Sequence, residues 1–210
     1  MLADYSVELG PDVPALELPW GSDDSGVRYY DLKNHPELIL QIPEASAHPE
    51  LAAFLGRINA PEFPLETAKC DTWFSQEILP EEEIFFPERK GAEYKFVSYI
   101  DLVFCDQAAR LSFDKHEELA KNLCKLLKHA PEIAASIEFS IRRCYYHEEA
   151  AQGVAAASSV ADLGNANDSQ SGFYVTAYVS AFGHSQEEAR KQWAIALALV
   201  QHALVQVANR

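Results

Sequence analysis

The chain has 210 residues, 48% of them hydrophobic, which is enough to bury a substantial core without disulfide or metal staples. Its 32 acidic and 17 basic residues leave a formal net charge of -15, which opposes association with nucleic acid and with anionic lipid surfaces. Cys70, Cys105, Cys124 and Cys144 stand far apart in a chain able to build a core, a usage that favours reduced thiols over a disulfide framework.

The opening stretch MLADYSVELGPD has neither a basic region nor a long apolar run, so no secretory signal is expected and the location is read as cytoplasmic. Residues 1–25, with Pro11, Pro14 and Pro19 and an acidic turn around Asp23-Asp24, read as an irregular segment draped over a single α+β domain at 26–210. Within that domain, 26–62 is a strand and helix portion. VRYYDL and ELILQI are expected as short strands around Lys33 to Pro36, and SAHPELAAFLGRINAP as a helix capped by Ser46 with Pro49 in its first turn.

Residues 63–130 form the first strong strand-strand-helix unit. AKCDTWFSQ and EYKFVSYIDLVFC are rich in aromatic and β-branched residues, and a proline- and acid-rich connection from Leu79 to Gly91 separates them. The helix FDKHEELAKNLCKLLKHAP follows, with Asp114 and Glu117 at capping-box spacing and Leu119, Leu123, Leu126 and Leu127 on one stripe. Residues 131–210 repeat the plan: ASIEFSIRRCYYH and FYVTAYVSAF as strands around a low-complexity mobile loop at 150–171, then a helix from Ser185 almost to the end. The expected architecture is a mainly antiparallel sheet of four to six strands with helices on one face. The strand-strand-helix plan would occur two or three times, as an echo that need not be a duplication.

Alternation assigns Ser98, Ile100, Leu102 and Phe104, Ile137, Phe139 and Ile141, and Phe173, Val175, Ala177 and Val179 to the face beneath the helices. The opposite face then carries Tyr99, Asp101, Glu138, Arg142, Tyr174 and Tyr178. Carboxylates beside an arginine and phenols are the groups that orient a polar ligand or anchor a protein interface, so these six are the candidate site.

Gly183-His184-Ser185-Gln186-Glu187, between a strand and a helix, resembles the nucleophile elbow of the α/β-hydrolases over five residues. The last position should be glycine and is Glu187. Beyond Ser185 there is no aspartate, and the one histidine, His202, lies about five turns along the same helix, so no relay assembles within the chain. Ser185 instead reads as a helix cap, with Glu188 completing the box. Cys144 and His147, three apart in a strand, face opposite ways and cannot share a zinc ion. Asp23-Asp24 and Glu81 to Glu83 lack the ligand alternation of a calcium loop, and no phosphate-cradling glycine loop occurs, so neither metal nor cofactor is expected.

With a well-specified core and no complete catalytic set, the chain reads first as a non-catalytic binding or protein-interaction domain. A small enzyme or ligand-binding domain is the alternative, using Asp101 or Glu138 as acid/base, Arg142 as anion anchor and Tyr178 as donor. An acidic inhibitor of a basic protein is the third reading. The last helix is apolar around much of its girth, at Trp193, Leu197, Val200, Leu204 and Val207 but also at Ile195, Leu199 and Val205. That pattern calls for a second cover, either the helix around Phe54 or a second chain, and a homodimer is expected.

Overall fold

The computed structural model describes residues 1–21, 28–79, 82, 91–147 and 169–208. Six strands, β1 (Leu2–Glu8), β2 (Leu16–Leu18), β3 (Leu65–Ser75), β4 (Tyr94–Phe104), β5 (Ala135–His147) and β6 (Ser169–Gly183), join in one mixed sheet of order β1-β5-β6-β4-β3. The four long strands pair antiparallel, while β1 and then β2 lie parallel along the outer side of β5. Helices α1 (Pro43–Ala47), α2 (Pro49–Ile58), α3 (Gln107–Leu111), α4 (Phe113–Leu127) and α5 (Gln186–Ala208) complete the α+β fold.

The main core forms where alternation places it. Ile100, Phe139, Ile141, Val175, Ala177 and Val179 rise from one face of the sheet, and Leu123 of α4 and Trp193 and Val200 of α5 descend on them, all essentially without solvent contact. Each such side chain contributes about 1.5–3 kcal/mol relative to an exposed position, which makes the sheet and helix faces mutually dependent. The indole of Trp193 donates to the Ser98 hydroxyl at 2.8 Å, so the one polar residue in the buried register of β4 has its partner.

The wide apolar girth of α5 is covered within the chain. It runs between α2 and α4, and Leu199, Val205 and Val207 pack against the core, leaving Ile195, 47% exposed, as the large apolar side chain on its outer surface. The case for a twofold contact through this helix therefore loses its premise. None of the described helices is long and apolar enough to cross a membrane.

The first third of the chain departs from expectation. Residues 2–8 are a strand, with Ala3 and Tyr5 packed on the core and Asp4, Ser6 and Glu8 on the other face. ELILQI, expected as a strand, lies largely in a 3₁₀ helix, Pro36–Gln41, and of VRYYDL the described residues 28–32 contribute only an isolated bridge between Gly21 and Arg28. Ser46 lies inside α1 and donates to the Leu40 carbonyl at 2.8 Å, so it caps nothing. The helix is interrupted at His48, which Pro49 holds in extended conformation by the clash of its ring with an α-helical predecessor. In chain order β3, β4 and two helices are followed by β5, β6 and one helix, while β1 and β2 pair with β5 and not with each other. Of the loop expected at 150–171, residues 150–168 lie outside the described residues, as do 148–149 before it, and 169–171 belong to β6. Residues 80–81 and 83–90 of the acidic connection and 22–27 of the N-terminal turn also lie outside them.

Candidate functional site

Strand register arranges the second face of the sheet in rows. Asp4, Glu138, Tyr178, Tyr99 and Asp71 form one row across β1, β5, β6, β4 and β3. Ser6, Ser140, Thr176, Asp101 and Lys69 form the next, and Glu8, Arg142 and Tyr174 begin a third. All six residues read as the candidate site therefore share this face, and Glu8, Asp4, Lys69 and Asp71 join them.

The face is not the open, solvated surface that its polarity implies. After β2 the chain crosses it, placing Leu16, Leu18, Trp20 and Tyr29 against Val103, Cys144, Tyr146 and Tyr174 in a second, smaller apolar cluster. The Trp20 indole donates to the Ala68 carbonyl at 2.7 Å, where a bulge between Thr67 and Lys69 turns that oxygen out of the ladder, and the Lys69 ammonium lies 4.4 Å from the Trp20 ring centroid.

The charged groups of the face satisfy one another. The Arg142 guanidinium donates from Nε to Glu8 Oε2 at 2.8 Å and from a terminal nitrogen to the Tyr178 hydroxyl at 2.9 Å. Asp101 is only 4% exposed and accepts the Thr176 hydroxyl at 2.7 Å. Burial pushes its carboxyl up to about 6, against the opposing pull of Thr176, Lys69 and Arg142. Burial, then the Asp101 charge, pushes the Tyr174 phenol up to about 12. Glu138 is exposed. The ring centroids of Trp73, Tyr99 and Tyr178 succeed one another at 6.3 and 6.2 Å, an aromatic ladder that ends at the β3 edge.

A half-open cleft of about 420 Å³ lies at the other end of this face, lined by residues including Lys33, Glu66, Arg110, Tyr146, His147 and Gln170. Its cations are engaged in structure. Arg110 donates to the Phe104 carbonyl at 2.6 Å and to Glu66 at 2.8 Å, and Lys33 donates to the carbonyls of Ala60, Phe63 and Leu65 at 2.8–3.0 Å. Nothing in the sequence marks this cleft, because its lining comes from six separate stretches of chain.

The remaining motifs resolve locally. The Ser185 hydroxyl accepts the Glu188 amide at 3.2 Å, and the Glu188 carboxylate accepts the His184 amide at 2.8 Å. For α4 the cap is Ser112, which accepts the Lys115 amide at 3.4 Å, and not Asp114. Asp114 lies in the first turn, and Glu117 pairs with Lys121 at 2.8 Å. The serine precedes the phenylalanine that opens the helix, and the residue three on is Lys115, so Ser112 caps without a reciprocal carboxylate and Asp114 and Glu117 form no capping box. Burial pushes the Cys144 thiol up to about 12, far from a nucleophile's range, while His147 Nε2 lies 3.5 Å from Glu17. Among the described residues no three His, Cys, Asp or Glu side chains gather to hold a metal ion. Comparison with protein-family models, with curated proteins and with solved structures finds no match for the chain.

Proposed function

We propose that this chain is a non-catalytic interaction domain that binds a basic protein partner on the uncovered part of the second sheet face. One observation carries the reading: the groups that would do chemistry are engaged with one another, Arg142 with Glu8 and Tyr178 and Asp101 with Thr176. What remains accessible is the ladder Trp73, Tyr99 and Tyr178, flanked by Asp71 on one side and by Glu138 and Asp4 on the other. Aromatic faces beside carboxylates suit lysine and arginine side chains, and a net charge of -15 steers such a partner toward the protein.

The test is calorimetric titration with octalysine at low salt. Reversing Asp71 and Glu138 to lysine is expected to weaken binding by about tenfold, whereas reversing Glu118 and Glu187 on the helices leaves it nearly unchanged. Equal losses from both pairs would reduce the attraction to overall charge and sink the proposal.

A further inference from the structure

Strand β3 is an edge strand, and its two halves are treated differently. In the first half the outward backbone groups are closed off by side chains: Lys33 donates to the Leu65 carbonyl at 3.0 Å, Asn59 accepts the Thr67 amide at 3.0 Å, and Trp20 donates to the Ala68 carbonyl. Beyond the bulge the register with β4 is unbroken from Lys69 to Ser75. There the Thr72 amide meets the carboxylate of its neighbour Asp71 at 2.6 Å, on the side away from β4. Alternation in an antiparallel ladder turns the backbone groups of Cys70 and Phe74 to that same side. Among the described residues no strand lies beside this half.

We propose that the open half of β3, from Cys70 to Phe74, is a strand-addition site for an extended, arginine- or lysine-rich segment of the partner protein. The inference rests on the interaction-domain reading and gives the mode of docking. A strand laid here places alternate side chains on the two faces of the sheet, and each face offers an aromatic ring and a carboxylate. On one face stand Trp73, 40% exposed, and Asp71. On the other stand Phe74, 41% exposed, and Glu44 of α1, a helix packed against β3, whose charge acts on the Cys70 thiol. Burial, then the charges of Glu44, Asp71 and Asp101, pushes that thiol up to about 12. Backbone pairing supplies affinity in such additions and the alternating side-chain contacts supply selectivity, here for cations. A second copy of the chain is the poorer occupant, since it brings the same carboxylates and the same charge of -15.

The probe is a synthetic heptapeptide of alternating arginine and valine, compared with a twin N-methylated at every residue, which blocks both edges. The twin keeps every charge and cannot pair as a strand. The unmodified peptide is expected to bind about tenfold or more tightly than its twin, and to slow hydrogen exchange at the Cys70 and Phe74 amides. Thr72→Pro is expected to abolish that difference, because its missing amide faces outward and not toward β4. Should Thr72→Pro fail to fold, the twin peptide and the exchange data decide alone. Equal binding of the two peptides, with loss on reversing Asp71 and Glu138, would overturn strand addition and leave the basic-partner reading standing. No binding of either peptide would overturn both. A dimer in sedimentation equilibrium that Thr72→Pro converts to monomer would assign the edge to a second copy and overturn the proposed occupant.

Discussion

Glu8 and Arg142 face each other across the parallel pairing of β1 with β5, and the carboxylate receives both Nε, at 2.8 Å, and a terminal nitrogen of the guanidinium, at 2.6 Å. The contact pins the end of an N-terminal edge strand to the centre of the sheet. Both side chains are partly screened from water, so the pair is worth more than a typical surface ion pair and less than a buried one. Glu8→Gln should cost about 1 kcal/mol in urea unfolding, and a double-mutant cycle with Arg142→Met should return a coupling of similar size. A coupling near zero would show that β1 is held by its ladder alone.

Asp101 makes stability depend on pH in an unusual sense for a carboxylate. Its folded-state value is raised from 3.8 to about 6, so the folded protein holds this proton where the unfolded chain has released it. Stability from this group therefore rises as pH falls through 6 toward 4, and its charged form costs about 2–3 kcal/mol near neutrality. Asp101→Asn, which keeps an acceptor for Thr176, should be the more stable protein at pH 7.5, with an advantage that shrinks by about 2 kcal/mol at pH 4.5. The buried His116 is pushed down by burial and works in the opposite direction, but it is common to both proteins and cancels in the difference. An advantage that does not change with pH would refute the assignment.

Two serines cap the helices that cover the core, and their removal should be felt. Ser112→Ala and Ser185→Ala are each expected to destabilise by about 1 kcal/mol, while Asp114→Asn costs about 0.3 kcal/mol through the helix dipole alone. Thermal unfolding of the three variants ranks them. A serine-directed fluorophosphonate should leave Ser185 unlabelled, and stoichiometric modification there would reverse its reading as a cap.

Gly172 and Gly183 are glycines for reasons of contact. A Cβ at Gly172 would lie 2.5 Å from the Arg110 carbonyl oxygen and 2.9 Å from the Tyr146 ring; at Gly183 it would lie 2.6 Å from the Ala189 amide nitrogen. In both cases the nearest obstacle is backbone, which cannot step aside as a flexible side chain does. Either glycine changed to alanine should cost about 1–3 kcal/mol or more, measured by chemical denaturation, whereas Gly21→Ala, with open space around it, should cost little.

The sequence by itself determined the parts of this protein whose pattern is local and strong. Periodicity of two along Ile137 to Ile141 and Phe173 to Val179 set which sheet face is buried, and the stripe through Leu119, Leu123 and Leu127 set how α4 meets it. The cap at Ser185 was legible because a cap is a matter of three or four consecutive residues. It also grouped the six residues of the second face correctly, since alternation carries every residue of a strand to a known side.

Only the tertiary structure decided what those residues face. Ala3, Tyr5 and Val7 alternate with Asp4, Ser6 and Glu8, yet seven residues ahead of a proline-rich stretch and an acidic turn become a strand only because β5, more than a hundred positions away, supplies a ladder. Likewise Trp20 and Leu18 read as an irregular segment until the bulge at Ala68 presents a carbonyl to receive the indole. The assembled face makes Asp101 a buried carboxylate and engages its ions with one another. The same distant contacts close one half of β3 and leave the other open. Burial and partner choice are sums over residues far apart in sequence, and a pattern that repeats every two or every 3.6 positions does not contain them.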